Sequence, residues 1–439
     1  MAGALALRPA LPLNGRRDGL PDVEAMTDVG MDRSDAARPG RMVTVLATGL
    51  FFLWGVANNL NDVLITHFRA LFSLDDLQSG LVQSAFYLGY FCFAIPAATV
   101  MRRFGYRSAV LTGLLLFGTG ALLFWPASMT LSYGFFLVAL FVIASGLAFL
   151  ETAANPMIAA LGPPETAERR LTLAQAFNPL GSITGVGLGL LLILSDDTRS
   201  AAEQAAAVRL PYLLIAATAL GWAALIFFAR FPSAATRGTP AADRIPGAYR
   251  ALLTRPRYLA GVAAQFFYIG AQVGVWSFLI RYTTAALPGF GVRHAAWLLT
   301  ASLALFMIGR FVGSALMTRV SGARLMLVFG LTDMLLCLVS VLAGGWIGVA
   351  ALVAASAFMS IMYPTIFVLA LRGLGPLTKP GASLIVMAII GGAVLTALMG
   401  LISDHSGTIR AAMLVPAGCF LVVALFARAN LRDVRDTVA

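Results

Sequence analysis

Two carboxylates stand inside long apolar runs: Asp62 in FFLWGVANNLND (51–62) and Glu151 in LETAANP (150–156). On a helix, Trp54, Asn58, Asn61 and Asp62 fall at i, i+4, i+7 and i+8, which is one face. Glu151 and Asn155 share a face in the same way, and Pro156 removes a backbone hydrogen bond beside them. A charged group at the middle of a bilayer costs about 2.5–3.5 kcal/mol on insertion scales. Such acids therefore face protein or a water-filled cavity. One reading of Asp62 is a buried, hydrogen-bonded structural residue. The other is a proton site, since a carboxyl in a changing cavity can take a proton from one side and release it to the other. No nucleophile–His pair, phosphate loop or metal-ligand cluster accompanies the acids, so we expect neither an enzyme nor a cofactor.

Further polar and aromatic side chains repeat at helical spacing. Gln265, Tyr268, Gln272 and Trp276 form one stripe; Gln83, Tyr87 and Tyr90 form a second; Ser356, Ser360 and Tyr363 form a third. Any one stripe is explained by hydrogen bonding between helices. Their recurrence favours a shared polar cavity. Amides, carboxylates and hydroxyls suit the hydroxyl groups of a sugar, and aromatic rings suit its C–H face. Trp54 and Trp276 sit too deep in their apolar runs to be interfacial anchors.

The elements that must carry these residues are transmembrane helices. Of 439 residues 59% are hydrophobic and only 12% charged, whereas a soluble chain carries about a quarter charged residues. Twelve apolar spans are expected, near 42–66, 79–100, 107–125, 131–160, 170–194 and 211–231, then 258–281, 295–318, 325–344, 347–371, 380–402 and 410–428. Residues 1–41, rich in Gly, Pro, Asp and Arg, read as a disordered cytoplasmic tail rather than a secretory signal. A polar linker over 232–257 separates an N-terminal six-helix half (42–231) from a C-terminal one (258–428), and 429–439 form a second cytoplasmic tail. With the N-terminus inside, 24 Arg and Lys lie in cytoplasmic segments and 6 on the opposite side, with Arg310 inside a span. This bias places both termini in the cytoplasm. It also accounts for the net charge of +11 without nucleic acid. Cys92, Cys337 and Cys419 read as small buried hydrophobes, and the three histidines are too dispersed for a metal site.

Arg102, Gly105, Arg107 and Gly113 recur as Arg319, Gly322, Arg324 and Gly330 at a constant offset of 217 residues. This R-x-x-G-x-R repeat resembles the loop motif of the major facilitator superfamily, in which basic residues lock neighbouring helix ends in one state of the transport cycle. The segments NNLND (58–62), LVQSAFYLGYF (81–91), LETAANP, LAQAFN (173–178), YIGAQVGVWSFLIRY (268–282), GRFVG (309–313), SAFMSIMYPTIF (356–367) and SLIVMAIIGG (383–392) resemble the L-fucose–proton symporter family within it. The resemblance runs from about residue 45 to 428. It implies an all-α protein of twelve transmembrane helices in two pseudo-symmetric halves, alternating access, and a proton and a monosaccharide as substrates. Asp62 and Glu151 correspond to the family's coupling acids, and Gln175 to a polar partner near the sugar or the carboxylate; Asn178 beside it is a candidate sugar contact. Pro179, Ala388 and Ala397 depart from the fucose carrier's pattern, which bears on which sugar is carried. A sodium-coupled or facilitative glucose/galactose carrier, a non-transporting sensor and a drug exporter are the competing readings. We further expect a functional monomer in a bacterial inner membrane. Equal depth on antiparallel neighbouring helices also predicts a structural Arg310–Asp333 pair.

Overall fold

The computed structural model describes residues 45–56, 76–192, 203, 206, 208–229 and 247–436. The 1–41 tail, the end of the first span and most of the 232–257 linker lie outside that set. The described residues form helices and no strand. In hydrocarbon every backbone polar group needs an internal partner, and a helix supplies it within one segment.

The first span begins as α1 (Val45–Val56). The next two spans form one stretch, α2 (Asp76–Leu122), broken at Gly105, where φ is 84° and ψ 172°. That positive φ suits glycine and strains other residues, so the glycine of the first R-x-x-G-x-R copy makes the break. After α3 (Phe124–Thr130) comes α4 (Tyr133–Ala160), which starts at a Ser132 cap and runs unbroken through Pro156. The fifth span is interrupted, as α5 (Ala167–Gln175) and α6 (Phe177–Leu192), and the sixth is α7 (Arg209–Phe228). A short helix, α8 (Ala248–Leu253), occupies the last part of the expected linker. Pro256 then opens α9 (Pro256–Ala286), using the first-turn position where a missing N–H costs nothing.

α10 (Val292–Leu316) and α11 (Gly322–Leu342) follow, the latter capped by Ser321. The tenth span is split into α12 (Gly345–Met359) and α13 (Met362–Leu371). The eleventh is α14 (Thr378–Met387), a 3-10 turn and α15 (Gly391–Ser406). The last is α16 (Leu414–Asp436), which runs beyond the expected boundary at 428 because the polar residues after it continue the helix. Nine described stretches are long and apolar enough to cross a bilayer. One of them, Ala85–Thr130, is two spans divided at Gly105, and the first span and the α5–α6 pair complete twelve.

Lipid tails are as apolar as leucine, so these helices associate through close packing. Large apolar side chains such as Phe228 and Leu342 point outward, both 80% exposed, while alanines and glycines fill the contacts between helices. Cys337 and Cys419 are buried as expected, but Cys92 is exposed among the outward-facing apolar residues of α2. The crossing of α1 with α6 shows why small residues are required. A Cβ on Gly55 would lie 2.0 Å from the Asn178 carbonyl oxygen, and one on Gly181 would lie 2.0 Å from that of Phe52. Backbones this close bring Trp54 and Asn178 to a common wall.

Candidate functional site

A cavity of about 240 Å³ opens between the first six spans and the last six. Its wall includes Trp54 from α1, Tyr87 and Tyr90 from α2, Glu151 from α4, and Gln175 and Asn178 from the α5–α6 junction. Gln272 and Trp276 from α9, Arg310 from α10 and Tyr363 from α13 face them. Both tryptophans therefore line the cavity.

The polar side chains form one connected network. The Gln175 Nε2 donates to Asn155 Oδ1 at 3.0 Å, and Asn155 Nδ2 donates to the Tyr363 hydroxyl at 3.4 Å. That hydroxyl donates to Glu151 Oε1. Glu151 Oε2 and Gln175 Oε1 are buried and have no partner among the described residues. The chain thus joins α4 and α5 to α13 and leaves two acceptors available to a ligand. Asn178 Nδ2 is tied to the Phe51 carbonyl at 3.2 Å. The Trp276 indole N–H donates to Ser356 Oγ at 3.0 Å, and its ring meets Phe306 edge-on with centroids 5.0 Å apart. These bonds fix the ring plane that Trp276 turns toward the cavity.

Not every expected site residue is among these wall residues. Asn58, Asn61 and Asp62 are outside the described residues, and so is the Gln83 side chain. Asn155 stands behind the wall and acts through Gln175 and Tyr363. Tyr268 also lies behind it, donating to the Met359 carbonyl at 3.0 Å and meeting the Tyr363 ring edge-on. Gln265 is fully buried away from the cavity, and neither amide atom has a partner among the described residues.

The expected Arg310–Asp333 pair does not form. Arg310 Nε donates to the Ser360 carbonyl at 3.1 Å and its Nη1 to the Gln175 carbonyl, while the guanidinium stacks 4.5 Å from the Phe306 ring centre. Both carbonyls stand at an interruption, and the residue four ahead of each, Pro364 or Pro179, has no N–H to give them the usual intrahelical bond. Arg310 satisfies one from each side of the cavity. Asp333 instead lies on the stripe of α11 that carries Gly330 and Cys337, and Gly330 packs on α16 at Ala424. Both its oxygens are buried without a partner among the described residues. The sequence spacing suggested equal depth but carried no information on which neighbour each helix face meets. The sign that Arg310 belongs to the site was its charge in an apolar run.

The loop repeats sit at one end of the molecule. Arg107 donates to the Phe227 carbonyl at the end of α7 and lies over that ring. Arg102 is half-buried, and its Nε has no partner among the described residues. Arg319 and Arg324 are exposed. At the second copy the closing contact falls on the glycine. Glu168 Oε1 pairs with Arg372 at 2.9 Å, and its carboxylate accepts the Gly322 N–H that starts α11. A Cβ on Gly322 would lie 1.9 Å from Glu168 Oε2. Burial pushes the Glu168 carboxyl above its ordinary range, against Arg372 and the Gly322 N–H, which pull it down. At the first copy the partner is Lys379, the chain's one lysine. It is buried, with its ammonium 5.2 Å from the Tyr106 ring centre.

A Major Facilitator Superfamily model matches residues 46–388. The chain is 45% identical over 403 residues to the L-fucose-proton symporter of Escherichia coli K12, covering 87% of this chain and 92% of that one. The chain belongs to the L-fucose–proton symporter family of the major facilitator superfamily. Within this superfamily it is also 38% identical over 385 residues to a glucose/galactose transporter of Brucella abortus, covering 86% and 92% of the two chains. A crystal structure of the transporter FucP in the outward conformation superposes with a TM-score of 0.81 at 43% identity, covering 88% of this chain and 98% of that one. The proton:xylose symporter XylE, 12% identical, shares the superfamily fold with a TM-score of 0.71 and covers 88% and 94% of the two chains.

Proposed function

We propose that this protein is a proton-coupled symporter of a monosaccharide, L-fucose or a close stereochemical relative, working by alternating access. The observation that carries the reading is Glu151. One oxygen is bonded by Tyr363 from across the cavity and the other is buried and unpartnered, in a wall that also holds Gln175 and two tryptophans. A curated relative of this similarity is an L-fucose-proton symporter. The departures at Pro179, Ala388 and Ala397 bear on which sugar fits.

In this reading the proton is held on Glu151 Oε2, and Asp62 exchanges it with the outer solution. A carboxylate accepts a charge-assisted hydrogen bond roughly twice as strong as a neutral one. Protonation therefore weakens the Tyr363 tie between the halves and frees them to rock. The sugar's hydroxyls supply partners to the unsatisfied Gln175 Oε1 and to Glu151, and its C–H face lies on Trp276 or Trp54. We place both termini in the cytoplasm of a bacterium, from the arginine bias, and the 42–231 and 258–428 halves on either side of the cavity. The Glu168–Arg372 end is then cytoplasmic and closed, so the cavity opens outward. A proton entering across about 100 mV gains roughly 2.3 kcal/mol, on the order of 50-fold accumulation. The carrier functions as a monomer and needs no nucleic acid.

The test is reconstitution in liposomes with a screen of monosaccharides for sugar-dependent proton entry. Asp62→Asn and Glu151→Gln should abolish uphill uptake while sparing exchange. Uphill uptake unchanged in either variant, or proton entry with no sugar of the fucose, galactose and arabinose group, would refute the reading. Replacing sodium by potassium at fixed pH should leave uptake unchanged.

A further inference from the structure

A second concavity, of about 710 Å³, lies at the end of the molecule that carries the loop repeats. It is formed where α9 begins, α13 ends and α16 leaves the bundle. Arg255 and Arg257 come from the start of α9 and Arg372 from the end of α13, with Asn430 of α16 completing the wall. No carboxylate lines it among the described residues. The positive-inside bias explains arginines at this end but not their convergence on one hollow. Arg255 Nη1 reaches the Gly373 carbonyl at 3.4 Å, which orients that guanidinium along the rim. Of the arginines around the hollow, Arg372 is the one paired with the nearby Glu168, through one nitrogen of a side chain that is 55% exposed. A guanidinium carries five N–H donors in a planar fork, so Arg372 has donors left for the hollow.

We infer that this hollow binds a phosphate group carrying net negative charge, and that it shares Arg372 with the Glu168 latch. Guanidinium forks match phosphate oxygens two at a time. Basic pockets between membrane helices at the cytoplasmic face take phospholipid head groups, and the same chemistry would take a soluble phosphate. A phosphate seated on Arg372 competes with Glu168, so occupancy loosens the closed end. The proposed orientation enters only in naming the leaflet; binding itself does not depend on the sugar or on proton coupling.

The experiment uses the full chain in neutral detergent and follows its unfolding midpoint by tryptophan fluorescence. Short-chain phosphatidylglycerol, phosphatidylcholine of equal chain length and inorganic phosphate are titrated at constant ionic strength. Phosphatidylglycerol should raise the midpoint saturably and phosphatidylcholine should not. A matching rise with inorganic phosphate alone would assign the site to soluble phosphates rather than lipid. The Arg255→Gln/Arg257→Gln variant should need roughly 30-fold more ligand, while Arg250→Gln, an exposed arginine outside the hollow, should respond as wild type. Glu168→Gln, which removes the competitor, should need less. The inference is overturned if neither phosphatidylglycerol nor inorganic phosphate shifts the midpoint, if phosphatidylcholine shifts it equally, if the double variant titrates as wild type, if Arg250→Gln weakens binding equally, or if Glu168→Gln leaves it unchanged.

Discussion

Tyr363 donates a hydrogen bond from its hydroxyl to Glu151 Oε1 while its ring stacks on Phe367, with centroids 6.3 Å apart. Tyr363→Phe keeps the stack and removes the donor. A hydrogen bond to a charged group is worth about 1.5–3 kcal/mol, or roughly 10- to 100-fold. The initial rate of uphill sugar uptake in liposomes should fall by that order, with exchange of labelled sugar retained. A second residue-scale expectation concerns Glu168. Its folded-state pKa is raised, chiefly by burial, so in the window above the ordinary carboxylate pKa the folded chain binds the proton more tightly than the unfolded chain. This group's contribution to stability therefore falls as pH rises through that window. The unfolding midpoint of wild type minus that of Glu168→Gln should be larger at the acid end of the window than at its alkaline end.

Helices meet the cavity at interruptions and close crossings. Gly181 lets α6 approach the α1 backbone, with a Cβ there only 2.0 Å from the Phe52 carbonyl oxygen. Overpacking costs about 1–3 kcal/mol where side chains can give way. Here the obstacle is backbone, so Gly181→Val should cost at least that, seen as a lower unfolding midpoint, and should also impair uptake by displacing Trp54. Between α9 and α12 the Trp276–Ser356 bond orients the indole. Ser356→Ala leaves a buried N–H without its acceptor, at about 1–3 kcal/mol. The expected readout is a higher KM for sugar with transport otherwise intact, checked by initial-rate uptake.

At the scale of the molecule, the two sides of the cavity are tied at two levels. Arg310 joins the Gln175 and Ser360 carbonyls beside the cavity, and Glu168 joins Gly322 and Arg372 at the loop end. Arg372 is half-exposed, so its ion pair alone is worth about 0–1 kcal/mol. The Gly322 N–H, set against the buried carboxylate, should hold more. Gly322→Ala, which displaces Glu168, should therefore open this end more than Arg372→Gln does. Ser314 lies beside this end, 4% exposed and 3.5 Å from the Arg169 carbonyl. Ser314→Cys in a chain whose native cysteines are replaced reports opening as faster maleimide labelling. Equal rates in both variants would show that the Gly322 contact adds nothing.

The sequence by itself determined the spans, because apolar length follows directly from bilayer thickness. It also singled out Glu151, Gln272, Trp276 and Tyr363, because polar side chains in apolar runs are expensive and share helical faces, and Gln175 through the family resemblance of LAQAFN. Only the tertiary structure decided how those faces meet. Equal depth was expected to pair Arg310 with Asp333, but Arg310 turns to the Ser360 and Gln175 carbonyls and Asp333 lies on the stripe of α11 that faces α16. The interruptions at 175–177 and 359–362 free two carbonyls, and these give Arg310 its partners. Gln265 and Tyr268 share the stripe of Gln272, yet α9 turns them behind the wall. Periodicity assigns residues to a face, but the packing of small residues between backbones sets which neighbour that face meets, and that depends on contacts far apart in the chain.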